Sequence, residues 1–112
     1  MIFLKDGCGG CDHLVTQIRA GVSAGELDPS RLMFVVGVET SATKLLELLE
    51  PIGSPNVLDR TGSLFAVAEV RGTPTLFAVW EDTLEVFDYS TGGDIGWLSK
   101  ALSAERKPTT TS

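Results

Sequence analysis

Two apolar patterns alternate along this chain: short unbroken runs, and stripes spaced three to four residues apart. Met1 to Leu4 is a run that stops at Lys5-Asp6-Gly7, as a buried strand ending in a turn does. Leu14, Val15, Ile18 and Val22 then fall on one face of a helix whose end is marked by Gly21 and Gly25. Glu26 to Arg31 reads as a loop turning at Asp28-Pro29. The next run, Leu32 to Val36, is rich in large and β-branched side chains and predicts a second fully buried strand, parallel to the first.

Thr40 or Ser41 is placed to cap a second helix with a stripe of Leu45, Leu48 and Leu49, stopped by Pro51 and Gly53. Val57-Leu58-Asp59 is a brief extended piece, and Asp59 to Gly62 is a turn that delivers Ser63 as the cap of a short helix, Leu64 to Val70. Thr75 to Trp80 and Leu84 to Asp88 read as strands joined by the polar Glu81-Asp82-Thr83, hence a hairpin. Asp94 caps a last helix carrying Ile95, Trp97, Leu98, Ala101 and Leu102. The order of elements predicts an α/β fold, a central mixed sheet with helices on both faces. Trp80, at a strand end, and Trp97, on a helix stripe, are assigned to its core, with the lining of a ligand pocket as the alternative. Residues 1–105 form the expected domain, and 106–112, polar with nothing to bury, a disordered tail.

Composition narrows the function. At 112 residues and 43% apolar the chain has the size of one domain with an ordinary core. Fifteen acidic against nine basic side chains give a net charge of -6, the wrong sign for gripping a phosphate backbone, so no nucleic-acid partner is expected. No apolar run approaches the roughly 18 residues of a membrane-spanning helix. No basic leader or cleavage site follows Met1, so a chain complete as given would be cytoplasmic, and an excised domain exported or membrane-tethered. Oligomeric state is not legible.

The chemistry rests on two cysteines, Cys8-Gly9-Gly10-Cys11, directly after the first strand and opening the first helix. A helix N-terminus offers unpaired N–H groups and partial positive charge, which favour a thiolate at Cys8. With two residues between them, Cys11 can reach the Cys8 sulfur and resolve a mixed disulfide. The bland readings are a structural disulfide or two small buried residues. A zinc site needs further ligands, and His13 is the only histidine, so no metal is expected. His13 lies about 140° around the helix from Cys8 and reads as solvated, while Asp12 would disfavour a thiolate nearby. Arg71 is read as exposed. The P-x-x-x-[ST]-x-x-C constellation of a peroxidase is missing around Cys8.

A C-x-x-C opening a helix, followed some sixty residues later by Arg71-Gly72-Thr73-Pro74-Thr75-Leu76-Phe77 at the start of a strand, resembles the thioredoxin-like superfamily. Val57 to Leu64, running on through Val70 to Thr75, is most similar to the TlpA-like redoxins. The resemblance implies a minimal thioredoxin-like fold, a cis Pro74 facing the cysteines, Cys8 as attacking thiol, Cys11 as resolving thiol, and Thr73 with Pro74 as the edge that docks a protein thiol or disulfide substrate. The implied activity is thiol-disulfide exchange with no bound cofactor. A redox-inactive binding module using the same edge is the alternative. The chain departs from the family at Ile2, where thioredoxins carry a buried Asp, and at Gly7, where they carry Trp. It departs again at Gly10, usually Pro, and at Leu14, where haem-maturation redoxins often carry Glu.

Overall fold

The computed structural model describes residues 1–38 and 41–104. In chain order the elements are β1 (Ile2–Lys5), α1 (Gly9–Ser23), β2 (Phe34–Gly37), α2 (Thr43–Leu49), β3 (Asn56–Asp59), α3 (Ser63–Val67), β4 (Thr75–Val79), β5 (Val86–Ser90) and α4 (Ile95–Ser103). Short 3-10 turns occupy Pro29–Arg31, within the expected loop, and Glu50–Ile52, at the end of α2.

The strands form one five-stranded sheet in the order β3-β2-β1-β4-β5. β1, β2 and β3 run parallel, with Phe3 opposite Val35 and Val35 opposite Val57. β4 runs antiparallel to β1, pairing Leu76 with Ile2, and β5 returns beside β4. This is the mixed α/β sheet expected from the pattern. The parallel strands are apolar on both faces because both faces of β1 and β2 are covered. On one side Ile2, Leu4, Phe34, Val36 and Leu76 pack against Leu14, Val15 and Ile18 of α1, Leu45 and Leu49 of α2 and Leu98 of α4. On the other, Phe3 and Val35 meet Phe65 of α3, with Phe3 and Phe65 edge to face at 5.1 Å.

Several local expectations shift. The α2 stripe is Leu45 and Leu49, with Leu48 only half-buried, and the residue flanking the helix is Ala42. Ser41 still supplies an oxygen, accepting the Thr43 N–H at 3.3 Å, and Thr40 lies outside the described residues. Ser63 sits inside α3 rather than capping it, and the helix is shorter than expected. The buried Asp59 carboxylate at the end of β3 accepts the Phe65 N–H at 3.0 Å, doing the capping from outside the helix. Leu84 is exposed in the hairpin turn at φ 60°, so β5 starts two residues later than its apolar composition implied. Trp80 and Trp97 are half-buried, not core. Trp80 stacks on Phe87 at 3.8 Å, and the Trp97 indole donates to Asp88 at 3.1 Å, since a ring bearing an N–H settles where that group finds a partner. Asp94 caps α4 as expected, accepting the Gly96 N–H at 2.9 Å. The expected tail, 106–112, lies outside the described residues.

Candidate functional site

β1 and the turn at Asp6-Gly7 deliver Cys8 to the N-terminus of α1, where it is the capping residue in an extended conformation. Its sulfur accepts the Cys11 N–H at 3.2 Å, and its carbonyl accepts the Asp12 N–H at 3.1 Å, closing the first turn. Glycines at positions 9 and 10 cost helix stability, roughly 1 kcal/mol each relative to Ala. Gly10 has a steric justification: a Cβ there would lie 3.3 Å from Cδ of Pro74. The loop before β4 therefore rests directly on the first turn of α1.

That loop is shaped by its own polar groups. The Thr73-Pro74 peptide is cis. The Thr75 hydroxyl, buried, donates to the Gly72 carbonyl at 2.6 Å, which fixes the chain around Pro74 and leaves the Thr73 carbonyl facing the site. The Cys8 thiol donates to that carbonyl at 3.4 Å. From the other side Gly93, at φ 68°, packs on Pro74, and a Cβ there would approach Pro74 Cγ to 2.8 Å and Leu14 to 3.4 Å. Cys8, Cys11, Thr73 and Pro74 are thus brought together by three separate segments. Thr75 and Gly93 escaped sequence reasoning; the signals were a hydroxyl directly after the proline and a glycine pair just ahead of the α4 cap.

The two sulfurs differ in environment. Cys8 is partly exposed and Cys11 fully buried, and both are free thiols. Partial burial pushes the Cys8 thiol up, but hydrogen bonds from the Cys11 and Thr73 side chains and from the backbone of Cys11 and Gly10 outweigh it, leaving it below the ordinary 9.0. Burial, followed by the hydrogen bond with Cys8, pushes Cys11 up to about 11. An asymmetric pair results, in which the partly exposed Cys8 thiol ionises more readily than the buried Cys11 thiol behind it.

The surroundings are sparse. Ile2, where a buried acid was missed in the sequence, is packed into the apolar core. One Asp12 carboxylate oxygen is buried without a hydrogen-bond partner among the described residues. His13 and Arg71 are exposed. Among the described residues no group of three or more His, Cys, Asp or Glu is placed to hold a metal ion.

Strand order, the helix opened by a cysteine pair and the proline loop resting on it define a thioredoxin-like fold. Among solved structures the chain is similar to StoA from Bacillus subtilis, with a TM-score of 0.69 and 21% identity over 90% of this chain and 78% of that one. This likeness is one of fold. No protein-family model matches the chain, and no curated protein matches it. No helix among the described residues is long and apolar enough to cross a membrane.

Proposed function

We propose that this chain is a thiol-disulfide oxidoreductase of the TlpA-like kind, exchanging a Cys8–Cys11 dithiol or disulfide with protein substrates and using no bound cofactor. The observation that carries the reading is the asymmetry of the pair: a helix-capping Cys8 held below the ordinary thiol range, with Cys11 buried one turn behind it. In the reducing direction the Cys8 thiolate attacks one sulfur of a substrate disulfide, forming a mixed disulfide and expelling the other substrate sulfur as a thiolate. Cys11 then loses its proton to solvent and attacks the Cys8 sulfur, closing the Cys8–Cys11 disulfide and releasing the second substrate thiol. A dithiol reductant returns the pair to its starting state. The oxidising direction is the reverse.

Thr73 and Pro74 form the docking edge in this reading. The Thr73 carbonyl already meets the Cys8 thiol, so an extended substrate segment beside it brings its own sulfur to Cys8. Cys8→Ser is expected to abolish disulfide reduction, whereas Cys11→Ser forms a mixed disulfide that it fails to release. An insulin-reduction assay with covalent trapping on each variant checks this. Failure of the unaltered protein with any dithiol reductant, together with partner binding that survives both substitutions, would replace the reading by a redox-inactive binding module.

A further inference from the structure

Cys11 must ionise in surroundings that do little to help it. Its side chain has no exposed surface and belongs to the core formed with Ile2, Leu4 and Leu14, none of which can accept a proton. The charged groups nearby are turned elsewhere. The Lys5 ammonium lies 5.5 Å over the Phe65 ring, on the opposite face of the sheet, where the Phe65 N–H also engages the Asp59 carboxylate. Asp6 accepts the Gly7 N–H, Asp94 accepts the Gly96 N–H at the start of α4, and Asp12 stands about 100° around α1 from Cys11. His13 and Arg71 are exposed. Besides Cys8, the groups that hydrogen-bond the Cys11 sulfur are the main-chain N–H of Lys5 and the hydroxyl of Thr73. Strand register accounts for the first. The N–H groups of β1 alternate, Ile2 donating to Met33 and the Met1 amine to Phe77 of β4, and the β1–β4 pairing stops at Phe3–Thr75, so the Lys5 N–H passes the end of β4 and meets Cys11. The proline loop accounts for the second. Pro74 rests between Gly10 and Gly93, the Thr75 hydroxyl holds the Gly72 carbonyl, and the Thr73 carbonyl meets the Cys8 thiol at 3.4 Å. Thr73 is thereby fixed beside the pair, and its hydroxyl bonds Cys8 as well as Cys11.

We propose that the Thr73 hydroxyl is a catalytic hydrogen-bond donor shared by the two sulfurs, serving Cys8 during attack and Cys11 during release. The proposal rests on the thiol-disulfide reading and gives Thr73 a role apart from docking by its carbonyl. One O–H bonds one thiolate at a time. It lies on Cys8 while that sulfur carries the charge. Once Cys8 is held in the mixed disulfide, the hydroxyl turns to Cys11, whose proton leaves to solvent. The Cys11 thiolate then attacks the Cys8 sulfur, the Cys8–Cys11 bond forms, and the substrate sulfur departs as a thiolate. A hydrogen bond to an ionised group is roughly twice as strong as one to its neutral form, so the donor favours whichever sulfur is charged.

Two variants of the full chain test it: Thr73→Val keeps the β-branched shape without the hydroxyl, and Thr73→Ser keeps the hydroxyl. Reduced protein mixed with dithiobis(nitrobenzoate) releases one thionitrobenzoate as Cys8 is captured and a second as Cys11 closes the disulfide. Stopped-flow absorbance across pH 6–10 reads the two steps separately. In Thr73→Val the pH profile of each step is expected to move up by about one unit. Well below the midpoint that leaves about tenfold less thiolate, offset about threefold by the greater nucleophilicity of the more basic sulfur, so each step slows roughly threefold to fourfold. Thr73→Ser should restore both profiles. A second release that Thr73→Val leaves unchanged, a displacement confined to Cys8, or a Thr73→Ser protein as slow as Thr73→Val overturns the proposal. So does slowing that follows the thermal unfolding midpoints of the three proteins rather than the presence of the hydroxyl. Insulin reduction by the unaltered protein is scored separately, so the two failures are told apart: silence toward insulin removes the oxidoreductase reading, and an indifferent Thr73→Val removes the shared donor.

Discussion

Alkylation of the reduced protein by iodoacetamide should fall almost entirely on Cys8. At pH 7.5 a thiol at the ordinary 9.0 is ~3% ionised, and Cys8 lies below that value and so exceeds that fraction. Cys11, at about 11, is only ~0.03% ionised, so the thiolate populations differ by at least about a hundredfold. The more basic thiolate is intrinsically the better nucleophile, and a Brønsted coefficient of about 0.4–0.5 over two units returns roughly sixfold to tenfold to Cys11. A net preference of at least about tenfold remains before sterics are counted, and Cys11, with no exposed surface, is further shielded. Timed labelling across pH 6–10, read by peptide mass spectrometry, gives both rates. A faster or equal rate at Cys11, or a Cys8 midpoint above 9.0, would refute the assignment of roles and the account of what sets the two acidities.

Two further outcomes follow from the same geometry. Gly93→Ala forces a left-handed residue to carry a Cβ 2.8 Å from Pro74 Cγ, and the backbone strain plus overpacking should cost about 2–4 kcal/mol in urea unfolding; a loss below about 1 kcal/mol would show that the Pro74 loop yields freely. Alkaline pH should destabilise the reduced fold: with Cys11 near 11 folded and 9.0 unfolded, the folded state holds the extra proton between those values. Stability then falls as pH rises from 9 toward 11, by about 2 kcal/mol or less, and thermal unfolding of Cys11→Ala should lack that component.

The sheet and the site were legible to different depths. The apolar run Leu32 to Val36 announced a buried parallel strand because burial on both faces removes any need for alternation, although the strand itself begins at Phe34 and Met33 ahead of it is exposed. Cys8 and Cys11 were legible because their separation is local, a matter of one helical turn. What was hidden depends on distant partners. The capping of α3 by Asp59 replaces a local Ser63 cap with a carboxylate from the preceding strand, and propensity carries no word of it. Leu84 looked like a strand residue, yet the hairpin ladder places it in the turn, with its N–H bonded to the Trp80 carbonyl. The two tryptophans were assigned to the core from their places at a strand end and on a helix stripe, and their surroundings were decided by Phe87 and Asp88, which are close in space through the β4–β5 pairing.

The Asp59 to Phe65 hydrogen bond also partitions the molecule's fluctuations. It ties the edge strand β3 to α3, the one helix on its face among the described residues, so the two are expected to open together as one sub-global unit, residues 56–70. The cysteine pair lies on α1, whose buried residues Leu14, Val15 and Ile18 belong to the opposite, larger core. Hydrogen exchange would then divide the chain into a readily opening flank and a slowly exchanging body, with the thiols held in the body while the flank opens and closes beside them.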